Sequence, residues 1–264
     1  IVCGVASKEL HGYTGGVFID YTGDMEITHA ISVVGWGVET TPTGVELPYW
    51  TVRNSWGESF GEQGFFRIIR GRNNLAIETD CQWATPLHTW TDEQKHITTD
   101  EEKNDPTNEP YINWAADLVH EDVYNKKDGC RVESSAVNFD EKPLETPAWD
   151  QVSADELPAN WDWRNVNDTN WLSWNKNQHI PVYCGSCWAQ ATTSSIADRF
   201  MIHMGMTGFP SPLSLSAQVI VNCGAGGSCL GGDPHAVYRF AYKEGIPHGS
   251  CEQYVAHNPE SFDC

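Results

Sequence analysis

The sequence has no run of 18 apolar residues, so it predicts no helix that crosses a membrane. Basic side chains are also scarce, with 16 Lys and Arg against 36 Asp and Glu and a net charge of −20. So acidic a chain argues against nucleic acid or an anionic membrane as a partner. The chain begins Ile-Val-Cys, and no basic segment followed by an apolar one is present, so we expect it to be processed or incomplete.

Internal repeats and low-complexity tracts are absent as well, but the hydrophobic pattern changes along the chain. Residues 1–81 contain short apolar, β-branched runs bounded by Gly and Pro, which predict strands at 29–37, 49–54 and 65–69. Residues 157–264 carry apolar side chains at steps of three and four residues, which are typical of helices. Helices are predicted from Cys187 onward, at 215–221 and at 235–244.

The middle of the chain, residues 82–156, is rich in Asp, Glu, Thr, Asn and Pro. Its periodicity is weak, so the sequence predicts mostly irregular structure, with one short amphipathic patch near 114–119. Much of the excess negative charge lies here. The segment is interpreted either as a solvated linker or as an acidic docking surface.

Nine cysteines in 264 residues suggest an oxidising compartment, where disulfides persist. None is spaced with a second Cys or His pair as in a zinc finger, so no metal site is predicted. Because the number is odd, at least one thiol has no partner within the chain.

The string Cys-Gly-Ser-Cys-Trp at 184–188 comes directly before a predicted helix. A thiol is a weak nucleophile in acid, but a helix N-terminus or a nearby imidazolium lowers its pKa. Cys187 lies at such an N-terminus and is therefore a candidate nucleophile. The alternatives are a structural disulfide cysteine or a redox pair with Cys184, and the flanking residues favour a peptidase.

Four other side chains supply the remaining parts of a thiol peptidase site. His29 precedes one predicted strand and is a candidate base, and Asn54 follows another strand and can orient the imidazole. Trp56 can shield that hydrogen bond from water. Gln178, just upstream of Cys187, can donate to the oxyanion of a tetrahedral intermediate together with the Cys187 N–H.

These motifs resemble the papain family of cysteine peptidases, and within it the cathepsin X (cathepsin Z) branch. The resemblance is strong over 1–81 and 157–264 and weak over about 111–156. The matching stretches are 13–16, 52–57, 74–78, 157–165, 177–181 and 183–189. It implies an α+β fold of two domains, one helical and one β-barrel-like.

The resemblance also implies roles for individual residues. Cys187 would be the nucleophile, His29 the base, Asn54 its orienter and Gln178 the oxyanion donor. The substrate would contact Trp56, His179, Tyr183, Gly231 and Gly232. His179 belongs to an insertion, 179–181, that would narrow the primed side of the cleft, and its imidazolium would hold the C-terminal carboxylate of the substrate.

The predicted activity is therefore a carboxypeptidase that removes single C-terminal residues from peptides or proteins. An ordinary papain-like endopeptidase and a non-catalytic, protease-like binding module are the alternatives. No metal or organic cofactor is implied. The resemblance and the cysteines point to a lysosomal or secreted protein, and a sequon at Asn167 leaves glycosylation open.

Disulfide pairing also follows from the resemblance. The expected bridges are Cys3–Cys81, Cys184–Cys229 and Cys223–Cys264. A further bridge, Cys130–Cys187, would block the nucleophile and keep the unprocessed form latent. Cys251 has no partner in this set.

The order of the halves departs from the family pattern. Residues 1–81 resemble the C-terminal, β-rich half of the family, and residues 157–264 resemble its N-terminal, helical half. The family segment that would run from the end of the helical half to the start of the β-rich half is missing. Between them lie an acidic linker (82–110) and a propeptide-like segment (111–156). Two interpretations stay open: a fragment of a tandem precursor with a neighbouring peptidase unit as partner, or a circular permutant.

Overall fold

The computed structural model of the chain describes residues 1–84, 152–207 and 213–258. The predictions for the acidic linker (82–110), the propeptide-like segment (111–156) and the patch at 114–119 lie almost wholly outside these residues. Within the described ranges, no helix is long and apolar enough to cross a membrane. Strands and helices both occur, as the α+β prediction requires.

Most strands belong to one seven-stranded sheet with the order β2-β5-β4-β3-β1-β6, and β7 pairs with β3 as well. The β2–β5 pair is parallel, whereas the other pairs of this sheet are antiparallel. Its strands are β1 (Val2–Val5), β2 (Val17–Phe18), β3 (His29–Thr40), β4 (Glu46–Arg53), β5 (Phe65–Ile69), β6 (Cys81–Gln82) and β7 (Trp161–Asp162). The three predicted strands correspond to β3, β4 and β5.

Strand β3 is the centre of the sheet because it pairs with three other strands. One edge pairs with β4, and the other edge pairs with β1 over its first four residues and with β7 at Gly35 and Trp36. A Cβ atom on Gly35 would lie 2.3 Å from the Trp161 carbonyl oxygen, so only glycine lets β7 approach this closely. The sheet of the N-terminal part therefore includes one strand from beyond residue 157.

The helices are α1 (Cys187–Met204), α2 (Ala217–Asn222) and α3 (Pro234–Lys243), and a two-stranded ribbon joins β8 (Gly227–Ser228) to β9 (Gly231–Gly232). Local signals explain where the helices begin and end. Ser216 caps α2 through Val219 N–H, and Pro234 opens α3 after the cap Asp233. Gly205, at φ +63°, ends α1 in the left-handed conformation.

Two separate hydrophobic cores form on either side of α1. One lies under the sheet and includes Leu10, Ile31 and Phe66. The other gathers around Trp188, which packs with α2 and α3. Between the cores, Cys187 and Ala191 of α1 pack against Val2 of β1 and Ala30 of β3. The start of α1 therefore lies in the seam between sheet and helices.

Candidate active site

The N-terminus of α1 lies directly against the start of β3. The backbone N–H of Ala30 donates to Cys187 Sγ at 3.3 Å, and the hydroxyl of Ser32 donates to the carbonyl of Ala191 at 3.1 Å. These bonds join residues more than 150 positions apart. They place Cys187 beside the residue that follows His29.

His29 and Asn54 form the pair that the sequence predicts. His29 Nε2 donates to Asn54 Oδ1 at 2.8 Å, and Asn54 Oδ1 also accepts from the Ser55 N–H at 2.8 Å. Both side chains are buried. Asn54 follows the last residue of β4, and its own N–H donates to the Gly64 carbonyl at 3.0 Å. Asn54 Oδ1 is therefore the acceptor that holds the Nε2 side of the imidazole.

Burial controls the electrostatics of His29. Loss of solvation lowers the pKa of its imidazole from 6.5 to about 4, against the opposing effect of the Asn54 hydrogen bond. Nearby His179 and His11 lower it further. His29 is therefore neutral in the form described, in which Cys187 carries no thiolate to pair with it.

Trp56 covers the His29–Asn54 pair, as predicted from the sequence. Its ring lies 5.0 Å from the His29 ring, centroid to centroid. His11 stacks on Trp56 in turn, at 4.6 Å and nearly parallel. Trp56 also forms a β-bridge with Asn177, so it touches the loop that leads to Gln178. The stack excludes water from one side of the imidazole.

Gln178 is buried and held by four hydrogen bonds, one of them from the Tyr254 hydroxyl to its carbonyl at 2.8 Å. Its N–H donates to the Ser55 carbonyl at 2.9 Å, and its Oε1 accepts from the Ser55 hydroxyl at 2.6 Å. Nε2 donates to the Cys184 carbonyl at 3.1 Å, which leaves its second N–H for another acceptor. The amide is thus fixed between the Asn54 loop and the segment that leads into α1.

Cys187 is fully buried and disulfide-bonded, and its partner is not among the described cysteines. Cys223 is also disulfide-bonded. Cys130 and Cys264 lie outside the described residues, so the Cys130–Cys187 and Cys223–Cys264 bridges stay predictions. The structure contains the Cys3–Cys81 and Cys184–Cys229 disulfides, and Cys251 is free and exposed.

The residues predicted to contact substrate fall into two groups. His179 stacks on the exposed Tyr183, with ring centroids 4.6 Å apart and an interplanar angle of 8°. Among the described residues, His179 Nδ1 has no hydrogen-bond partner. Burial, and then His11, hold the pKa of His179 below its usual value.

Gly231 and Gly232 form β9 and lie on the helical side of the site. A Cβ atom on Gly232 would come within 2.5 Å of the Trp188 ring, the residue after Cys187. Glycine is therefore required for β9 to pass this close to the start of α1. Within the described ranges, no group of three or more His, Cys, Asp or Glu side chains is placed to hold a metal ion.

Comparison with known proteins decides the family. The model of the papain family cysteine protease matches residues 1–85 and 157–263. The chain belongs to the papain family of cysteine proteases. The prediction of an α+β papain-like fold is therefore confirmed.

Curated relatives place the similarity within the family. The chain is 51% identical over 102 residues to a cathepsin Z of Onchocerca volvulus. This match covers 39% of the chain and 33% of that protein. It is 44% identical over 73 residues to a cathepsin B-like cysteine proteinase of Schistosoma japonicum, covering 28% of the chain and 20% of the relative. The chain thus spans a third or less of the length of these relatives.

Among solved structures, a digestive procathepsin L2 of Tenebrio molitor matches with 34% identity and a TM-score of 0.26. The match covers 29% of this chain and 24% of that structure. The resemblance to the papain family, and to cathepsin Z within it, is confirmed by the family model and the relatives together.

Three residues of this papain-family site were not predicted from the sequence. Ser55 holds Gln178, and its position directly after Asn54 was the available signal. His11 stacks on Trp56 without any motif to mark it. Lys176, two residues before Gln178, is 7% exposed although lysine is almost never fully buried without a partner.

Proposed function

We propose that this chain carries the active site of a cysteine-type carboxypeptidase of the cathepsin X type. The observation that supports it most is the meeting of α1 and β3: Ala30 N–H lies on Cys187 Sγ, and the adjacent His29 is bonded to Asn54 at 2.8 Å. A buried cysteine at a helix N-terminus next to an oriented imidazole is the arrangement that thiol acyl transfer needs. The substrates would be peptides or proteins with a free C-terminus.

The proposed reaction has two steps. The Cys187 thiolate adds to the scissile carbonyl carbon, and the oxyanion is held by the Cys187 N–H and the remaining N–H of Gln178. His29 gives its proton to the leaving amine, and the C–N bond breaks to leave an acyl-enzyme. His29 then takes a proton from water, whose oxygen attacks the thioester and releases the thiolate.

In this proposal the disulfide at Cys187 makes the described form latent. A sulfur that is already bonded cannot attack a carbonyl, so an external thiol must first reduce the bridge to two thiols with two electrons and two protons. We propose Cys130 as the partner, from the propeptide-like segment. Peptide mapping of the unreduced protein that found Cys130 free would contradict this pairing.

Carboxypeptidase specificity is assigned to His179. Its partner-free Nδ1 can bind an anionic oxygen, and stacking on Tyr183 fixes the ring. Since the pKa of His179 is below its usual value, its charge develops only in acid, as suits a lysosomal or secreted acid protease. Gly231 and Gly232 would bind the other side of the substrate through their backbone.

The first experiment measures alkylation of Cys187 against pH, with and without prior reduction, by peptide mapping. Reactivity that appears on reduction and persists to about pH 5 requires a thiolate stabilised by imidazolium, and His29→Ala should abolish it. A thiol that titrates near pH 8.5 regardless of His29 would contradict the proposed nucleophile–base pair.

The second experiment separates the alternatives by comparing matched peptides with a free and an amidated C-terminus. The carboxypeptidase should prefer the free acid strongly, and His179→Gln should remove most of that preference without changing alkylation of Cys187. Cleavage of both peptides at equal rates, at bonds away from their C-terminus, would favour the endopeptidase. Alkylation without any turnover would favour the binding module.

For the chain as a whole we propose the tandem arrangement. Residues 1–81 would end one unit, 82–110 would be the acidic linker, 111–156 the propeptide of the next unit, and 157–264 the start of that unit. The contact of Cys187 with the strand of His29 would then join the end of one unit to the start of the next, as a site that the two halves of this chain complete for each other. The match of the papain model to both outer ranges supports two halves of papain-like units. Partial proteolysis of the native precursor that released a repeated peptidase unit would support this over a circular permutant.

A further inference from the structure

Lys176 is a buried lysine directly behind the His29–Asn54 pair. Only 7% of Lys176 is exposed, and its Nζ has no hydrogen-bond partner among the described residues. The Trp174 ring, 5.8 Å from Nζ, partly compensates the ammonium. A buried amine without an acceptor is costly, so its retention calls for an explanation.

Asp198, the carboxylate whose charge acts on Lys176, does not accept a hydrogen bond from it. Asp198 of α1 accepts from Arg53 Nη2 at 2.6 Å, and its other oxygen accepts from the N–H and the hydroxyl of Ser173, both at 2.7 Å. Burial, and then the charge of Arg53, lower the pKa of Lys176 to about 7, while Asp198 opposes this. Lys176 Nζ therefore remains a donor without an acceptor, because the Asp198 oxygens already accept hydrogen bonds from Arg53 and Ser173.

Asn54 presents a second donor in the same position. Its Oδ1 is used by His29 and Ser55, but its Nδ2 is buried and has no partner among the described residues. Lys176 and Asn54 both line one small cavity with room for about one water molecule. Gln190 also lines this cavity, and its Nε2 and Oε1 are likewise buried without a partner among the described residues. Three unpaired donors and one unpaired acceptor therefore line a space that holds about one water molecule.

The wall of the cavity also supplies acceptors. Ser32 and Ser55 line it, and each hydroxyl already donates elsewhere, to the Ala191 carbonyl and to Gln178 Oε1. Each hydroxyl oxygen therefore keeps a lone pair. With Lys176 Nζ, Asn54 Nδ2 and the Gln190 amide, the wall offers a water molecule more than the roughly two to four polar partners that a buried water usually has.

We propose that this cavity binds a structural water that accepts from Lys176 Nζ and Asn54 Nδ2, and that Lys176 is thereby a positioning residue for the His29–Asn54 pair. The proposal rests on the proposed function only in the role it gives to that pair. The water site itself depends on the buried donors and the cavity.

The consequence concerns the orientation of the Asn54 amide. If the amide turned over, its NH₂ group would face His29 Nε2, which would then have to accept, and the ring proton would move to Nδ1. An imidazole protonated at Nδ1 cannot take a proton there. A water bonded to Nδ2 stabilises the orientation that keeps Oδ1 on Nε2, so the ring remains the tautomer that general-base chemistry needs.

The structural test is a high-resolution crystal structure of the full chain, with a bromide soak as a second data set. We expect one ordered water within hydrogen-bond distance of Lys176 Nζ and Asn54 Nδ2, and no bromide signal. An empty cavity, or a halide in it, would overturn the assignment. This result does not depend on whether the chain is active.

The functional test compares Lys176→Met, which keeps most of the apolar side chain without the amine, with Lys176→Gln, which restores a donor. After reduction, alkylation of Cys187 below pH 7 should be roughly fivefold slower in the Met variant, the effect of one lost hydrogen bond, and closer to wild type in the Gln variant. The profile above pH 9, where any thiol is ionised, should not change.

The outcomes separate the two proposals. If the wild type shows no His29-dependent alkylation in acid, the proposed function is wrong whatever Lys176 does. If the wild type shows it and the Met and Gln variants match each other, or only lose thermal stability, Lys176 is structural and the positioning role is overturned. Should the Met variant fail to fold, the crystal structure and the Gln variant decide.

Discussion

At the scale of single residues, the site depends on side chains that hold other side chains. Ser55 is the clearest case: its N–H bonds Asn54 Oδ1, its carbonyl accepts from the Gln178 N–H, and its hydroxyl fixes Gln178 Oε1. One serine thus links the proposed orienter to the proposed oxyanion donor. This connection predicts different losses of activity when Gln178 and when Ser55 is replaced.

Replacing Gln178 by Ala should lower kcat of the reduced enzyme by about 10²–10³-fold, because it removes a preorganised donor to the oxyanion. KM should change little. Ser55→Ala is the matched variant, since it leaves the amide in place and only releases it, so we expect a smaller loss. Steady-state kinetics on a free-acid peptide measures both, and equal losses would contradict the oxyanion role.

The sequence marks candidate residues where their motif is contiguous. Cys187 could be identified because its motif and the following helix are contiguous, and Asn54 because it stands in Asn-Ser-Trp-Gly. The burial of Lys176 could not be predicted, since its neighbours Arg53 and Asp198 come from β4 and α1. Only the folded chain brings these three charges together.

At the scale of elements, α1 is joined to the sheet mainly through β3 and β4. Besides the bonds of Ala30 and Ser32, the buried pair of Arg53 with Asp198 joins the end of β4 to the middle of α1, at 2.6 Å. Arg53 is also the residue before Asn54. The ion pair therefore fixes the distance between the helix of Cys187 and the strand that leads to Asn54.

Arg53→Met should destabilise the protein by about 3–5 kcal/mol, because it leaves the Asp198 carboxylate buried without its cation. The double variant Arg53→Met with Asp198→Leu should recover much of that loss. Denaturant unfolding of both measures the difference. If the double variant is no more stable than the single one, the uncompensated charge is not the cause.

The long elements were predictable and the short ones were not. Strand β5 was predicted with its bounds, and α2 and α3 within about two residues at each end, because hydrophobic periodicity marks them. Strand β7 has only two residues, Trp161 and Asp162, too few to show any period. Its pairing depends on Gly35, whose significance appears only when β7 lies against it.

At the scale of the whole molecule, buried ionisable groups set the response to pH. In the disulfide-bonded form the pKa of His29 falls from 6.5 to about 4, chiefly because of burial. Between these values the unfolded chain binds a proton that the folded chain does not. Stability therefore rises with pH across this window and is lost as the solution is acidified through it.

The expected loss between about pH 6.5 and 4 is about 3 kcal/mol from His29 alone. Unfolding by denaturant at several pH values measures it. His29→Gln should flatten the slope, whereas the exposed His257→Gln serves as the control and should keep it. An unchanged slope in the His29 variant would show that other groups govern the acid response.

The arrangement of the whole chain is the part that sequence reasoning reaches least. The motifs identify both halves, but the contacts that join them, such as β7 on β3 and Asn175 Nδ2 on the Gln63 carbonyl at 2.7 Å, depend on shape. Complementary shape leaves no periodic pattern in either half. The resemblance therefore predicts that the two halves meet, but the sequence does not identify the residues that form the contact.

The contact between Ala30 and Cys187 has a kinetic consequence, because it joins residues 157 positions apart. Closing so long a loop costs only logarithmically more free energy than closing a short one, but folds dominated by distant contacts form slowly. The sheet around β3–β4 and the helical core around Trp188 consist of nearer contacts and would form first. Cys187 and His29 would then meet late in folding, so the proposed hydrolytic chemistry would begin only in molecules that have already passed their slowest folding step.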